Sequence, residues 1–127
     1  MLREIPETRQ IRGEPRRRWF NSEFMDLYVW YDTTGNPLGF QLCYGKPNAE
    51  RALTWFRPDN FSHMRVDHGG PEGSAFGGGT GTPLLVLDGI FEAPATAREF
   101  ARECRDLPPE IVALVAAKFE EYPLPDS

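Results

Sequence analysis

FMDLYVWYDTTGNPLGFQLCYGKPNAERALTWFRPDNFSHMRVDH, residues 24–68, decides the fold. Four short runs rich in aromatic and β-branched residues are separated by DTTGNP, GKPNAE and RPDN. Runs of that composition broken by Gly, Pro, Asn and Asp read as consecutive antiparallel hairpins. The register is testable, because a slip of one residue moves every side chain to the other face. Turns at Thr34-Gly35, Pro47-Asn48 and Asp59-Asn60 place Leu27, Leu42, Leu53 and Val66 in one row. They place Val29, Phe40, Trp55 and Met64 in the next. Three separately placed turns thus give one continuous apolar face.

Outward from this meander, RRRWF (16–20) predicts a further strand turning at Asn21-Ser22, with Arg17 opposite Asp26. Such a cross-strand charge pair is favourable. The first dozen residues offer another edge strand, weakened by Pro6. Downstream, residues 69–82 form a Gly-rich loop and 83–91 an extended segment. Ala97, Phe100, Ala101 and Cys104 recur at helical spacing, so a helix is predicted over 95–104. A second helix follows, with Asp106 as its N-cap, Pro108 and Pro109 in its first turn, and Ile111, Leu114, Val115 and Phe119 on one stripe. Two amphipathic helices need an apolar surface to cover, and the meander supplies one.

The expected architecture is therefore α+β: a four- to six-stranded antiparallel meander with two C-terminal helices packed on one face. It is a single domain over 1–127: an Arg-rich edge segment (1–23), the meander (24–68), the Gly-rich loop (69–82), and the extended segment with helices (83–127). A chain of 127 residues with 40% hydrophobic content can bury one core without staples. No apolar run approaches the roughly 18–20 residues of a membrane span, and the charged N-terminus lacks the apolar stretch of a signal peptide. A cytoplasmic location is expected, with Cys43 and Cys104 as free thiols.

If helices cover one face, the other face carries any function. The same register sets Asp26, Cys43, Ala52 and Asp67 in one far-face row. Tyr28, Gln41, Thr54 and Arg65 form the second, and Trp30, Gly39, Phe56 and His63 the third. Aromatic rings mixed with a few convergent polar groups make a ligand surface. The candidate binding residues are Arg17, Tyr28, Trp30, Gln41, Thr54, His63, Arg65 and Asp67. The competing structural reading is a solvated face whose rings are covered by the N-terminal segment and the Gly-rich loop.

Spacing argues against metal and catalytic pairs. His63 and Asp67 share a predicted face but stand about 13 Å apart along a strand, too far to share one ion. Asp26 and Asp67 lie roughly 14 Å apart across three strands, beyond the reach of a glycosidase pair. Cys43 and His63 are two strands and one row apart, so no thiol–imidazole pair forms. The run Gly77–Thr82 lacks the Lys-Ser/Thr of a phosphate loop and opens no helix. No metal and no cofactor are expected.

The basic strip Arg9, Arg12, Arg16, Arg17 and Arg18, with Trp19 and Phe20, suits phosphates or carboxylates. The net charge of −5 argues against nucleic acid as the partner. The expected partner is an unidentified small molecule or protein, with no membrane contact. The first functional expectation is a non-enzymatic binding or interaction domain using the open face and the Arg-rich edge. The alternatives are a small enzyme with a polar site at Asp26, His63, Arg65 and Asp67 under the Gly-rich loop, and a structural homo-oligomer such as a homodimer.

The ordered phrases RRRWF, DLYVW, GFQLCY, ERALTW and FSHMRVD, within residues 9–68, resemble a family of small bacterial proteins without an assigned function. The resemblance implies a bacterial cytoplasmic origin. It implies no activity, cofactor or catalytic residue.

Overall fold

A computed structural model describes residues 1–46, 50–67, 84–87 and 91–123, with the backbone alone at 66–67 and 84–87. Its strands follow one another across one antiparallel sheet in chain order. They are β1 (Arg3–Glu4), β2 (Arg16–Asn21), β3 (Asp26–Tyr31), β4 (Pro37–Tyr44), β5 (Arg51–Phe56), β6 (Asn60–Asp67) and β7 (Leu84–Leu87). The helices α1 (Ala93–Glu103) and α2 (Pro109–Glu121) come last. The α+β meander is thus as expected, with six strands of four residues or more and the two-residue β1 at the edge. The predicted loop over 69–82 lies outside the described residues.

The register of the first two hairpins is the predicted one. Leu27 pairs with Leu42 and Val29 with Phe40. Leu42 then pairs with Leu53, and Phe40 with Trp55. All six side chains are buried, and Phe100 of α1 with Ile111, Val115 and Phe119 of α2 closes the core over them. Each fully buried side chain of this size contributes about 1.5–3 kcal/mol by transfer from water. The turn between β3 and β4 is organised by Asp32. Its Oδ1 accepts from the Thr34 hydroxyl at 2.6 Å and from the Thr34 and Asn36 amides at 2.9 Å each. Arg57 Nη2 bonds its other oxygen at 2.7 Å. The Thr34 hydroxyl bond first, then the Asn36 amide and Arg57, hold the Asp32 carboxyl well below its usual range.

Three local expectations are corrected. β6 was expected to pair Leu53 with Val66 and Trp55 with Met64, but Leu53 pairs with His63 and Trp55 with Phe61. The cause is the position of the turn. Pro58 has no amide proton for a ladder, and residues 57–59 form the turn so that Phe56 pairs with Asn60. Asn60 Nδ2 closes it on the Arg57 carbonyl at 3.2 Å. The displacement is by three residues, an odd number, so every β6 side chain exchanges faces.

Arg17 does not oppose Asp26. The β2–β3 turn takes residues 22–25, so Arg17 pairs with Trp30, and Asn21 with Asp26. The Ser22 hydroxyl accepts from the Phe24 and Met25 amides at 3.1 and 3.0 Å and makes that longer turn rigid. Lastly, α2 begins at Pro109 with Pro108 at its N-cap, not Asp106. Asp106 sits in the preceding turn, closed by the Leu107 amide donating to the Cys104 carbonyl at 3.1 Å, while buried Leu107 anchors it. Both cysteines are free. No helix among the described residues is long and apolar enough to cross a membrane.

Candidate functional site

With α1 and α2 on one face, the opposite face carries alternate residues of β2–β6. Its middle is an aromatic row that crosses four strands. Trp19 stacks on Tyr28 with centroids 5.7 Å apart and planes 10° from parallel. Tyr28 stacks on Trp30 at 6.0 Å, and Trp30 meets Phe56 at 5.4 Å. Tyr28 and Trp30 are neighbours two apart on β3, as the strand period requires. Phe56 reaches Trp30 from β5 only because β4 offers no side chain between them, at Gly39. A Cβ there would stand 2.2 Å from Phe56 Cδ1 and 2.4 Å from the Trp55 carbonyl oxygen. We expect Gly39→Ala to cost about 1–3 kcal/mol, as overpacking does. Urea melts would register it, with the largest amide shifts at Phe56 and Trp30.

Polar contacts hold the outer rings in place. Trp19 Nε1 donates to Asp26 Oδ1 at 3.0 Å, and Asn21 Nδ2 donates to the same oxygen at 2.6 Å. Asp26 Oδ2 receives Lys46 Nζ at 2.6 Å. Asp26 and Lys46 are only 11% and 19% exposed at their side chains, so the pair is shielded from solvent. The Arg17 guanidinium lies 5.8 Å from the Tyr28 centroid, and its Nε donates to the Arg9 carbonyl at 3.1 Å. In the neighbouring row Gln41 Nε2 donates to Thr54 Oγ1 at 3.2 Å, and Cys43 Sγ lies 3.9 Å from Gln41 Oε1. Trp30, Gln41, Cys43 and Ala52 are buried, while Arg17, Trp19, Tyr28, Thr54 and Phe56 are half-buried.

Of the residues singled out from sequence, Arg17, Tyr28, Trp30, Gln41 and Thr54 come together here. His63 and Arg65 do not, because the β6 register turns them to the helix-bearing face. His63 is 3% exposed there. Its Nε2 is hydrogen-bonded to the Tyr44 hydroxyl, and its ring packs 5.3 Å from Phe91. It is a core histidine with its bonding met. Arg65 is exposed opposite Arg51. Asp67 pairs by its backbone with Leu84, and its side chain lies outside the described residues. Asp26 and His63 are on opposite faces of the sheet, so the expected polar site of Asp26, His63, Arg65 and Asp67 is not assembled.

Asn21 and Lys46 were missed by sequence reasoning. Trp19 was noted in the basic strip but not placed on this face, although it alternates with Arg17 on β2. No signal in the sequence marked Lys46. Among the described residues, two clefts at the border of the sheet can be outlined. One of about 290 Å³ lies between Phe24, Met25 and Lys46 and the α1 residues Glu99, Arg102 and Glu103. A more open one, about 590 Å³, is lined by Glu4, Arg16, Arg18, Tyr31 and Asp32 at the β2 edge. There Arg18 grips Glu4 through two bonds of 2.8 and 2.7 Å. The Arg18 hydrogen bond lowers the Glu4 carboxyl and burial opposes it, while Glu4 in turn raises Arg18.

Among the described residues no three His, Cys, Asp or Glu side chains gather as metal ligands. What the far face can do is stack, hydrogen-bond through neutral groups and present one guanidinium. No family model, curated protein or solved structure matches the chain. The fold and face therefore define a class by geometry alone: an antiparallel meander, helices on one side, a stacked aromatic row on the other.

Proposed function

We propose that this protein is a non-enzymatic binding domain whose far sheet face takes a ligand or protein segment bearing a flat or apolar ring. The observation that carries this reading is the row Trp19–Tyr28–Trp30–Phe56, with Trp19 held by Asp26 and Arg17 held over Tyr28. Rings oriented before binding lose little side-chain freedom on contact, which raises affinity for a given area. Tryptophan, tyrosine and arginine are also the residues that dominate binding energy at interfaces. A bacterial cytoplasmic setting is supported by the family resemblance and by two free thiols.

The test is an NMR titration of the ¹⁵N-labelled protein with indole, benzoate, adenosine and glucose. At least one ring should shift the Trp19 indole and Gln41 side-chain amide signals while leaving the core Trp55 indole in place. Trp19→Ala should remove that response without unfolding the sheet. Responses confined to the cleft beside Phe24, or none from any probe, would refute the far-face reading.

A further inference from the structure

We infer that the outer edge of β2 is a strand-addition site for an acidic peptide in extended conformation. This site borders the aromatic row at Arg17 and Trp19, but it rests on the backbone edge and not on the rings. In an antiparallel strand the backbone groups of alternate residues point to the same side. On β2 the outward-pointing residues are Arg17, Trp19 and Asn21. β1 pairs with Asn21 and Phe20, and the Ile5 amide donates to the Trp19 carbonyl at 2.8 Å. The strand then stops. Pro6 carries no amide proton, and Glu7 takes a left-handed φ of 57° that turns the chain away.

At Arg17 a side chain stands in for the missing strand. Gln10 Oε1 accepts the Arg17 amide at 2.8 Å, and Gln10 Nε2 donates to the Arg17 carbonyl at 2.8 Å. One carboxamide thus makes the pair of bonds that a neighbouring strand residue would make. Gln10 is exposed; its Nε2 also donates to the Thr8 carbonyl at 3.0 Å, and the Arg9 carbonyl beside it accepts from Arg17 Nε at 3.1 Å. A free strand edge invites pairing, and proteins guard such edges. Here the guard of the Arg17 backbone is a pair of side-chain hydrogen bonds, which a peptide backbone reproduces in kind.

Charge selects the occupant. Residues 8–20 hold five arginines against one glutamate, in a chain whose net charge is −5. Arg12 and Arg16 are exposed and make no ion pair among the described residues. A peptide paired with β2 would send alternate side chains to the two faces. One set enters the 590 Å³ cleft lined by Arg16 and Arg18. The other lies beside Arg17 and Trp19. Glutamates meet Arg16 in the first and Arg17 in the second; Arg18 is already held by Glu4. A second copy of this chain would set arginine edge against arginine edge, and like charges directly opposite destabilise a strand pair.

The probes are fluorescein-labelled peptides alternating glutamate with valine, the same peptide N-methylated at every residue, and a lysine–valine counterpart. Fluorescence polarisation should show binding of the first alone, weakened several-fold between about 20 and 150 mM salt. Gln10→Ala should tighten it about tenfold by removing the competing pair of hydrogen bonds. Arg16→Glu should weaken it by a similar factor. Equal binding of the N-methylated peptide would mean charge attraction without strand addition and would overturn the inference. So would equal binding of the lysine peptide, no gain in Gln10→Ala, or a Gln10→Ala variant that dimerises and ignores the peptide. The NMR titration with ring probes tests the aromatic face separately, because those probes have no peptide backbone to pair with β2.

Discussion

Leu42→Asp should leave no folded domain in water, while Gln41→Ala next to it should fold and melt cooperatively. Leu42 is 0% exposed and lies in the middle of the central strand, between Leu27 and Leu53. Replacing it removes the transfer and packing energy of a buried leucine, about 2–5 kcal/mol. It also puts a carboxylate among apolar side chains with no partner, which costs several kcal/mol more or forces the group to take up a proton. The sum reaches the whole stability of an ordinary domain, about 5–15 kcal/mol. Gln41 is also nearly buried, at 8%, but faces the other way. Its loss removes one bond to Thr54, about 1 kcal/mol. Far-ultraviolet circular dichroism and urea melts of the two variants read the difference directly. Similar tolerance at 41 and 42 would mean that the sheet buries no single face.

That contrast was legible in the letters because each of the first two hairpins has apolar residues alternating on both sides of a turn. Only one register lines up Leu27, Leu42 and Leu53. The third hairpin was ambiguous for a physical reason. Val66 and Met64 are as apolar as the true partners' neighbourhood requires, so sliding β6 by three residues still set an apolar side chain against Leu53 and Trp55. The pattern therefore could not reject the slip, and only the turn at 57–59 decided it. The cost fell on the candidate site: His63 and Arg65 were assigned to the wrong face, while Tyr28, Gln41, Trp30 and Thr54 were assigned correctly. Contacts made by a side chain reaching out of a loop left no periodic trace at all. Gln10 bonds a residue seven positions on, and Lys46 bonds one twenty positions back. Neither spacing belongs to a helix, a strand or a turn.

The Asp26–Lys46 contact carries the second large effect. Asp26→Ala should destabilise the domain by about 3 kcal/mol, because removing one member of a shielded ion pair strands the other charge. Asp26 accepts from Trp19, Asn21 and Lys46 together, so the truncation also leaves the Trp19 indole and the Asn21 amide without their acceptor. Lys46→Met should cost less, since Asp26 keeps two donors. The double variant should be more stable than the sum of the singles predicts, by at least about 1 kcal/mol, which is the signature of a coupled pair. Strictly additive losses would mean that the pair contributes no more than an exposed salt bridge. The same cycle bears on function through Trp19. If Asp26 is what holds the indole flat on Tyr28, Asp26→Ala should broaden the Trp19 indole signal even where the fold survives. Asp26→Asn, which keeps an acceptor oxygen but not the charge, should leave that signal sharp while still stranding Lys46. Stability and ring order would then separate. The charge would then serve the fold, and the acceptor oxygen the order of the aromatic row.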